Sequence, residues 1–140
     1  MDARQALIEG LNLDLANEYQ AIITYITYAA TVTGIYREEM KEFFMREVPE
    51  ELRHAEFLAN KIAALGGQPT TVPIAVPPAS NLKEMLHNLH AAEVDTIERY
   101  RKRREQAEQV GDYGLVNDLE DLISDETRHK ESLEMIIRGL

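Results

Sequence analysis

Apolar residues recur at three- and four-residue spacing along nearly the whole 140-residue chain, and breaks in that rhythm are few. The spacing predicts a first helix from about Asp2, placed as its N-cap, to Thr33, with Gly34 able to end it in the left-handed conformation. A second helix runs from about Tyr36 to Leu65 and stops at Gly66-Gly67. The next stretch, QPTTVPIAVPPAS, holds four of the five prolines, which lack an N–H and fix φ. It reads as an extended crossover. Asn81 with Glu84 three residues on gives the capping-box pattern that opens a third helix, lasting to about Val110. Gly111-Asp112 breaks the chain, and a fourth helix runs to about Ile137. Each helix is about 28 residues, or roughly 42 Å at the standard rise. Short first and third joints make antiparallel hairpins, and the long middle joint crosses from one hairpin to the other. The predicted fold is all-α: an antiparallel four-helix bundle with one long crossover, a single domain over residues 1–140. Pro49 falls inside the second helix, where a missing hydrogen bond is expected to bend the axis just before Glu51.

Composition narrows the chemistry. The chain has no cysteine, which excludes disulfides, thiolate zinc sites, iron–sulfur clusters and cysteine nucleophiles. A net charge of -10 argues against nucleic acid as a partner and fits a protein that attracts cations. The N-terminal MDARQALIEG has neither a basic nor an apolar leader region, so a cytoplasmic protein is expected. The most apolar run, AIITYITYAA, is too short and too rich in Thr and Tyr to span a bilayer.

An internal repeat picks out a site. Sliding the sequence by 75 positions aligns the two hairpins without a gap. Glu18 falls on Glu93, Tyr25 on Tyr100, Glu51 on Glu126, Arg53 on Arg128 and His54 on His129. A single Glu precedes the Glu-x-x-His unit by 33 residues in both halves. One Glu-x-x-His means little in an acidic helical chain; two copies, each led by a glutamate at the same distance, form a specific signal. Residues at i and i+3 share a helix face, so Glu51 with His54, and Glu126 with His129, can point inward together. The midpoint between Glu18 and Glu51 lies at the Gly34 break, and that between Glu93 and Glu126 beside Gly111. In antiparallel hairpins each single glutamate therefore sits level with its Glu-x-x-His partner, and all six side chains can meet.

Four ionised glutamates in an apolar core repel one another and are costly to desolvate, and two divalent cations would cancel their charge. Oxygen and imidazole donors without sulfur suit iron or manganese. Glu51 and Glu126 are expected to bridge two metals, Glu18 with His54 completing one and Glu93 with His129 the other, which leaves open positions for dioxygen or peroxide. Tyr25 and Tyr100, two turns after the single glutamates, are expected on the inner face as donors to the carboxylates.

At these residues the sequence resembles the bacterioferritins and, more widely, the ferritin-like di-iron proteins. LANEYQAIITYI, PEELRHAEFLANKI, HAAEVDTIERY and DLISDETRHKESLE resemble the four helix motifs of that family. The resemblance implies a ferroxidase centre within one subunit: two Fe(II) bind, O2 or H2O2 oxidises them, and Fe(III) passes on to a mineral core. Bacterioferritins carry a haem-ligating Met directly after the second-helix bridging Glu. Leu52 stands at that place, so no haem is expected there. Bacterioferritins also continue into a fifth helix, whereas this chain runs only eleven residues past His129. A homo-oligomer between a dimer and a Dps-like dodecamer is therefore expected rather than a 24-subunit shell. Rubrerythrins carry an extra Glu where this chain has Thr96, together with a cysteine-rich domain, so they fit less well.

Other residues invite readings that the sequence favours less. The basic run RYRKRR, Arg99 to Arg104, spreads around its helix among acids and is expected as a solvated or subunit-contacting face. His87 and His90 are expected as packing or surface histidines. Most of Glu47, Glu50 and Glu56 are expected to be exposed, with an acidic inner cage wall as their functional use. Met40, Phe43, Phe44 and Met45 read as core or interface. Three functions compete: a ferroxidase with iron storage in a shell, a dimeric di-iron or di-manganese oxidase or peroxidase without mineral, and a metal-free structural bundle.

Overall fold

A computed structural model describes all 140 residues and contains four helices and no strand. Helix α1 spans Ala3–Thr31, α2 Arg37–Ala64, α3 Leu82–Gln109 and α4 Tyr113–Arg138. Their caps explain the boundaries. The Asp2 carboxylate accepts from the Gln5 N–H at the start of α1, and Asp112 accepts from the Leu115 N–H at the start of α4. At α3 the Asn81 side chain accepts from Glu84 N–H, but the Glu84 carboxylate reaches back one residue further than a capping box does, to the Ser80 N–H. Helix α1 stops two residues before the predicted Thr33. Val32 is extended with its side chain buried, so Gly34, at φ +103°, makes the turn instead of capping the last helical residue. Pro49 lies inside α2 on its exposed side.

The segment between α2 and α3 is extended and lies along α1. Thr70 N–H donates to the Asn12 side chain, Ile74 N–H to the Ala16 carbonyl, Gln20 to the Ala75 carbonyl and Tyr28 to the Pro77 carbonyl. These bonds satisfy a backbone that no sheet or helix would pair. Helices α1 and α2 pack as one hairpin, α3 and α4 as the other, and the hairpins meet chiefly along α1 and α3.

The core divides into two apolar clusters. One gathers Leu7, Leu11, Leu15, Leu58, Ile62, Tyr100, Leu115 and Leu119; the other gathers Tyr28, Val32, Phe44, Val48, Leu86, Leu89 and Leu133. Along every helix the predicted donors fall between the two: Glu18 in α1, Glu51 and His54 in α2, Glu93 in α3, Glu126 and His129 in α4. The bundle therefore carries a charged layer at mid-height with apolar packing above and below. No helix is long and apolar enough to cross a membrane.

Candidate metal centre

All six donors are buried, and the structure brings them together. Their relative exposures run from 1% for Glu51 and Glu126 to 7% for His129. Two groups form, each with its donor atoms within 4.8 Å of one another: Glu18, Glu51, His54 and Glu126, and Glu51, Glu93, Glu126 and His129. Glu51 and Glu126 belong to both. The His54 Nδ1 lies 2.9 Å from Glu126 and 3.8 Å from Glu18. The His129 Nδ1 lies 3.3 Å from Glu51, 3.5 Å from Glu126 and 3.9 Å from Glu93.

Seven buried side-chain atoms in the whole chain lack a hydrogen-bond partner, and six of them belong to these six residues: one oxygen of each glutamate and the Nδ1 of each histidine. Native interiors rarely leave such atoms alone, because a buried polar group without a partner costs about 1–3 kcal/mol. Six orphans converging on one place are a set of donors that could hold metal ions. The residues fit a pair of hard or borderline cations: oxygen and imidazole donors, no sulfur, and four negative charges for two divalent ions.

Burial and crowding shift the protonation of these groups in opposite directions. Burial drives the Glu51 carboxyl well above its usual range, and the neighbouring Glu18 and Glu126 charges push the same way. Glu93 is raised for the same reasons, burial first and Glu126 next. Burial also presses on Glu126, but the close approach of Glu93, His129 and His54 outweighs it and holds this carboxyl below its usual range. Burial opposes charge on His54, yet the carboxylates of Glu126 and Glu18 beside it raise it to about 10. His129 moves further in the same direction, against burial, through Glu126, Glu47 and Glu51.

Around these donors the two halves are cross-linked. Tyr25 of the first hairpin donates to Glu93 of the second at 3.4 Å, and Tyr100 of the second donates to Glu18 of the first. Burial raises both phenols well above their ordinary value, so they remain donors. The far nitrogens of the histidines cross as well: His54 Nε2 meets Asp125 at 3.1 Å, and His129 Nε2 meets Glu50 at 2.9 Å and Glu47 at 2.8 Å. A carboxylate on Nε2 fixes the ring so that Nδ1 faces the centre.

Three placements differ from the sequence reading. Glu47 and Glu50 are half-buried against His129, whereas Glu56 is exposed as expected. Asp125 had no assigned role, yet the 75-residue repeat places it on Glu50, each directly preceding a Glu-x-x-His, and that correspondence was the available signal. Within the basic run, Arg103 is buried at 6% exposure and bound to Asp14 by two bonds of 2.6 and 3.0 Å. It is not a solvated residue: Asp14 is itself buried, and an ion in that position needs a counter-ion. His87 is exposed, and His90 is half-buried against Glu134 at 2.8 Å; neither belongs to the two donor groups.

A four-helix bundle with paired carboxylate–histidine groups at its centre has the architecture of a di-iron carboxylate protein. Residues 8–140 match the ferritin-like domain family, and the chain belongs to it. It is 31% identical over 139 residues to a bacterioferritin of Brucella melitensis, covering 96% of this chain and 84% of that one. A bacterioferritin of Rhodobacter capsulatus is 30% identical over 131 residues, covering 91% and 80%. Among solved structures, a ferritin-like diiron-carboxylate protein from Bacillus anthracis superposes with a TM-score of 0.96 at 50% identity, over 98% of this chain and 99% of that one. A Dps protein from Bacillus brevis shares the fold, with a TM-score of 0.91 at 19% identity.

Proposed function

We propose that this protein is a ferroxidase. Each chain binds two Fe(II) as substrate in the paired donor groups and passes one electron from each to an oxidant. With O2 the balance is two Fe(II), one O2 and two protons giving two Fe(III) and H2O2; with H2O2 it is two Fe(II), one H2O2 and two protons giving two Fe(III) and two waters. The observation that carries the reading is the sharing of Glu51 and Glu126 between two four-donor groups. A shared carboxylate can bridge two ions, with Glu18 and His54 on one side and Glu93 and His129 on the other. Four protein donors per ion leave coordination positions free in the six-coordinate geometry that iron favours with such ligands. Tyr100 and Tyr25 hold the terminal carboxylates in place, and the Nε2 partners orient the imidazoles. Resemblance to bacterioferritins supports storage of the ferric product in an oligomeric shell.

Anaerobic titration is expected to saturate at two Fe(II) per chain. Air should then give a fast ferric absorbance rise that Glu51→Ala and Glu126→Ala abolish. A chain that binds no Fe(II) at this stoichiometry, or that oxidises iron equally well without the two shared glutamates, would sink the reading.

A second reading keeps the same donors in a di-iron or di-manganese oxidase or peroxidase, acting as a dimer without mineral. The observation favouring it is a cavity of about 370 Å³ between α1 and α3, whose floor is Glu18, Glu51, Glu93 and Glu126 and which has room for a small substrate. Hundreds of irons per large particle would support storage; two per chain in a dimer would support the oxidase.

A further inference from the structure

The seventh buried atom without a hydrogen-bond partner is the Nε of Arg99, a half-buried residue whose side chain lines the cavity above the four carboxylates. Its surroundings leave it a surplus charge. Two guanidinium groups stand beside one buried acid: Asp14 is held by Arg103 through two bonds, while the Arg99 Nε stays 3.6 Å away, beyond hydrogen-bonding range. The only hydrogen bond that Arg99 donates goes from Nη2 to the Thr96 hydroxyl at 2.8 Å. The neutral amides that line the same cavity are engaged elsewhere: Asn17 donates to the Leu13 carbonyl, Gln20 to Ala75, and Asn88 to the Tyr28 hydroxyl and the Pro78 carbonyl. Arg99 is thus the one cationic side chain lining a cavity that ends on the metal-binding carboxylates.

The repeat shows that this group breaks the symmetry of the scaffold. The position equivalent to Arg99 in the first hairpin is Thr24, whose hydroxyl bonds to its own helix at the Gln20 carbonyl. The centre has near twofold symmetry in its donors, but one wall of its cavity carries a cation and the other does not.

We infer that Arg99 forms a subsite for one small oxyanion in the cavity between α1 and α3, beside the di-metal centre. The inference rests on the metal-binding reading above. With two divalent ions in place the four floor carboxylates would be neutralised, and the guanidinium, which shares the single Asp14 carboxylate with Arg103, would leave a net positive charge beside the cavity. Asp95, the other acid lining it, is exposed at the mouth, where water screens it. A guanidinium presents parallel N–H groups that match the two oxygens of a carboxylate or phosphate. The shared chemistry is a compact anion with at least two oxygens, whose source is either inorganic phosphate or a short carboxylate.

The test is calorimetric titration of inorganic phosphate and, separately, acetate into protein loaded with redox-inert Co(II), at ionic strength held constant with chloride. One saturable site per chain is expected for at least one anion, and the arm that binds identifies the source. Arg99→Gln should weaken binding about 10- to 100-fold, as the loss of a charge-assisted hydrogen bond does, and Arg99→Lys by less. Ala21→Leu, which fills the cavity without touching the guanidinium, should weaken it too and stands in if Arg99→Gln does not fold. Absence of saturable binding of both anions, binding that a folded Arg99→Gln variant leaves unchanged, or, where that variant does not fold, binding indifferent to Ala21→Leu, overturns the inference. Co(II) stoichiometry measured on the same samples separates the two ideas: two ions bound with no anion site defeats the subsite alone, whereas no ions bound defeats the centre itself.

Discussion

At the scale of single residues, the most exacting contact outside the centre is the Asp14–Arg103 pair. Both side chains are buried, and burial raises the Asp14 carboxyl even though Arg103 and Arg99 pull it down. The guanidinium occupies the space over Gly10, where an added Cβ would come within 2.1 Å of Nη1. Removing one partner leaves a buried charge without compensation. Arg103→Leu is therefore expected to cost about 3–5 kcal/mol, somewhat offset by Arg99 nearby, whereas Asp14→Leu with Arg103→Leu should recover most of that loss. Urea unfolding of the three variants measures this, and equal destabilisation by the single and double changes would refute it. This pair was not legible in the sequence. The two residues are 89 positions apart and meet only because α1 and α3 lie together with a particular rotation. The six donors were legible because the repeat fixed their types and the turn glycines fixed their level. The partners of Tyr25 and Tyr100 were not, since crossing between hairpins depends on how the hairpins face each other.

At the scale of helices, local signals were strong where a cap or a proline acts alone and weaker where tertiary packing competes. The crossover and both hairpin turns were readable from Pro and Gly. The end of α1 was not, because burying Val32 in the second apolar cluster outweighs two further residues of helix. The contact between the end of α2 and the start of α4 illustrates how an element boundary can carry two interactions. Asp112 caps α4 through the Leu115 N–H at 3.0 Å and also pairs with Lys61 in the last turn of α2. The hydrogen bond from Lys61, then the Leu115 N–H, hold its carboxyl below the usual range against partial burial. A folded value below the unfolded one gives stability that is present above the unfolded value of 3.8 and lost as pH falls through the folded one. Asp112→Ala is expected to cost about 1–2 kcal/mol at neutral pH, chiefly through the cap. The deficit should shrink in acid. Denaturation at neutral and acid pH checks it, and a deficit that grew in acid would contradict the assignment.

At the scale of the whole molecule, each helix supplies at least one donor, so cations bound at this centre would tie all four helices together. Protons do the same work less well. His54, His129, Glu51 and Glu93 all have folded values above their unfolded ones, so the stability they confer is complete at low pH and lost as pH rises. For the two carboxyls the loss begins near the unfolded value of 4.5, and for His54 it extends from 6.5 to about 10. Glu126 alone among the shifted donors works in the opposite sense, its contribution present above 4.5 and lost in acid. The raised groups outnumber it, so the metal-free protein is expected to lose thermal stability steadily from mildly acid to alkaline pH. Cations that replace these protons should remove that dependence, raise Tm by mass action, and bind more tightly as pH increases while releasing protons. Melting curves of metal-free and Mn(II)-loaded protein across this range, together with proton release into weakly buffered solution on Mn(II) addition, measure all three. A metal-free Tm that holds steady or rises between neutral pH and about 10, or metal binding that releases no protons, would mean that the buried cluster is not the place where the ions go.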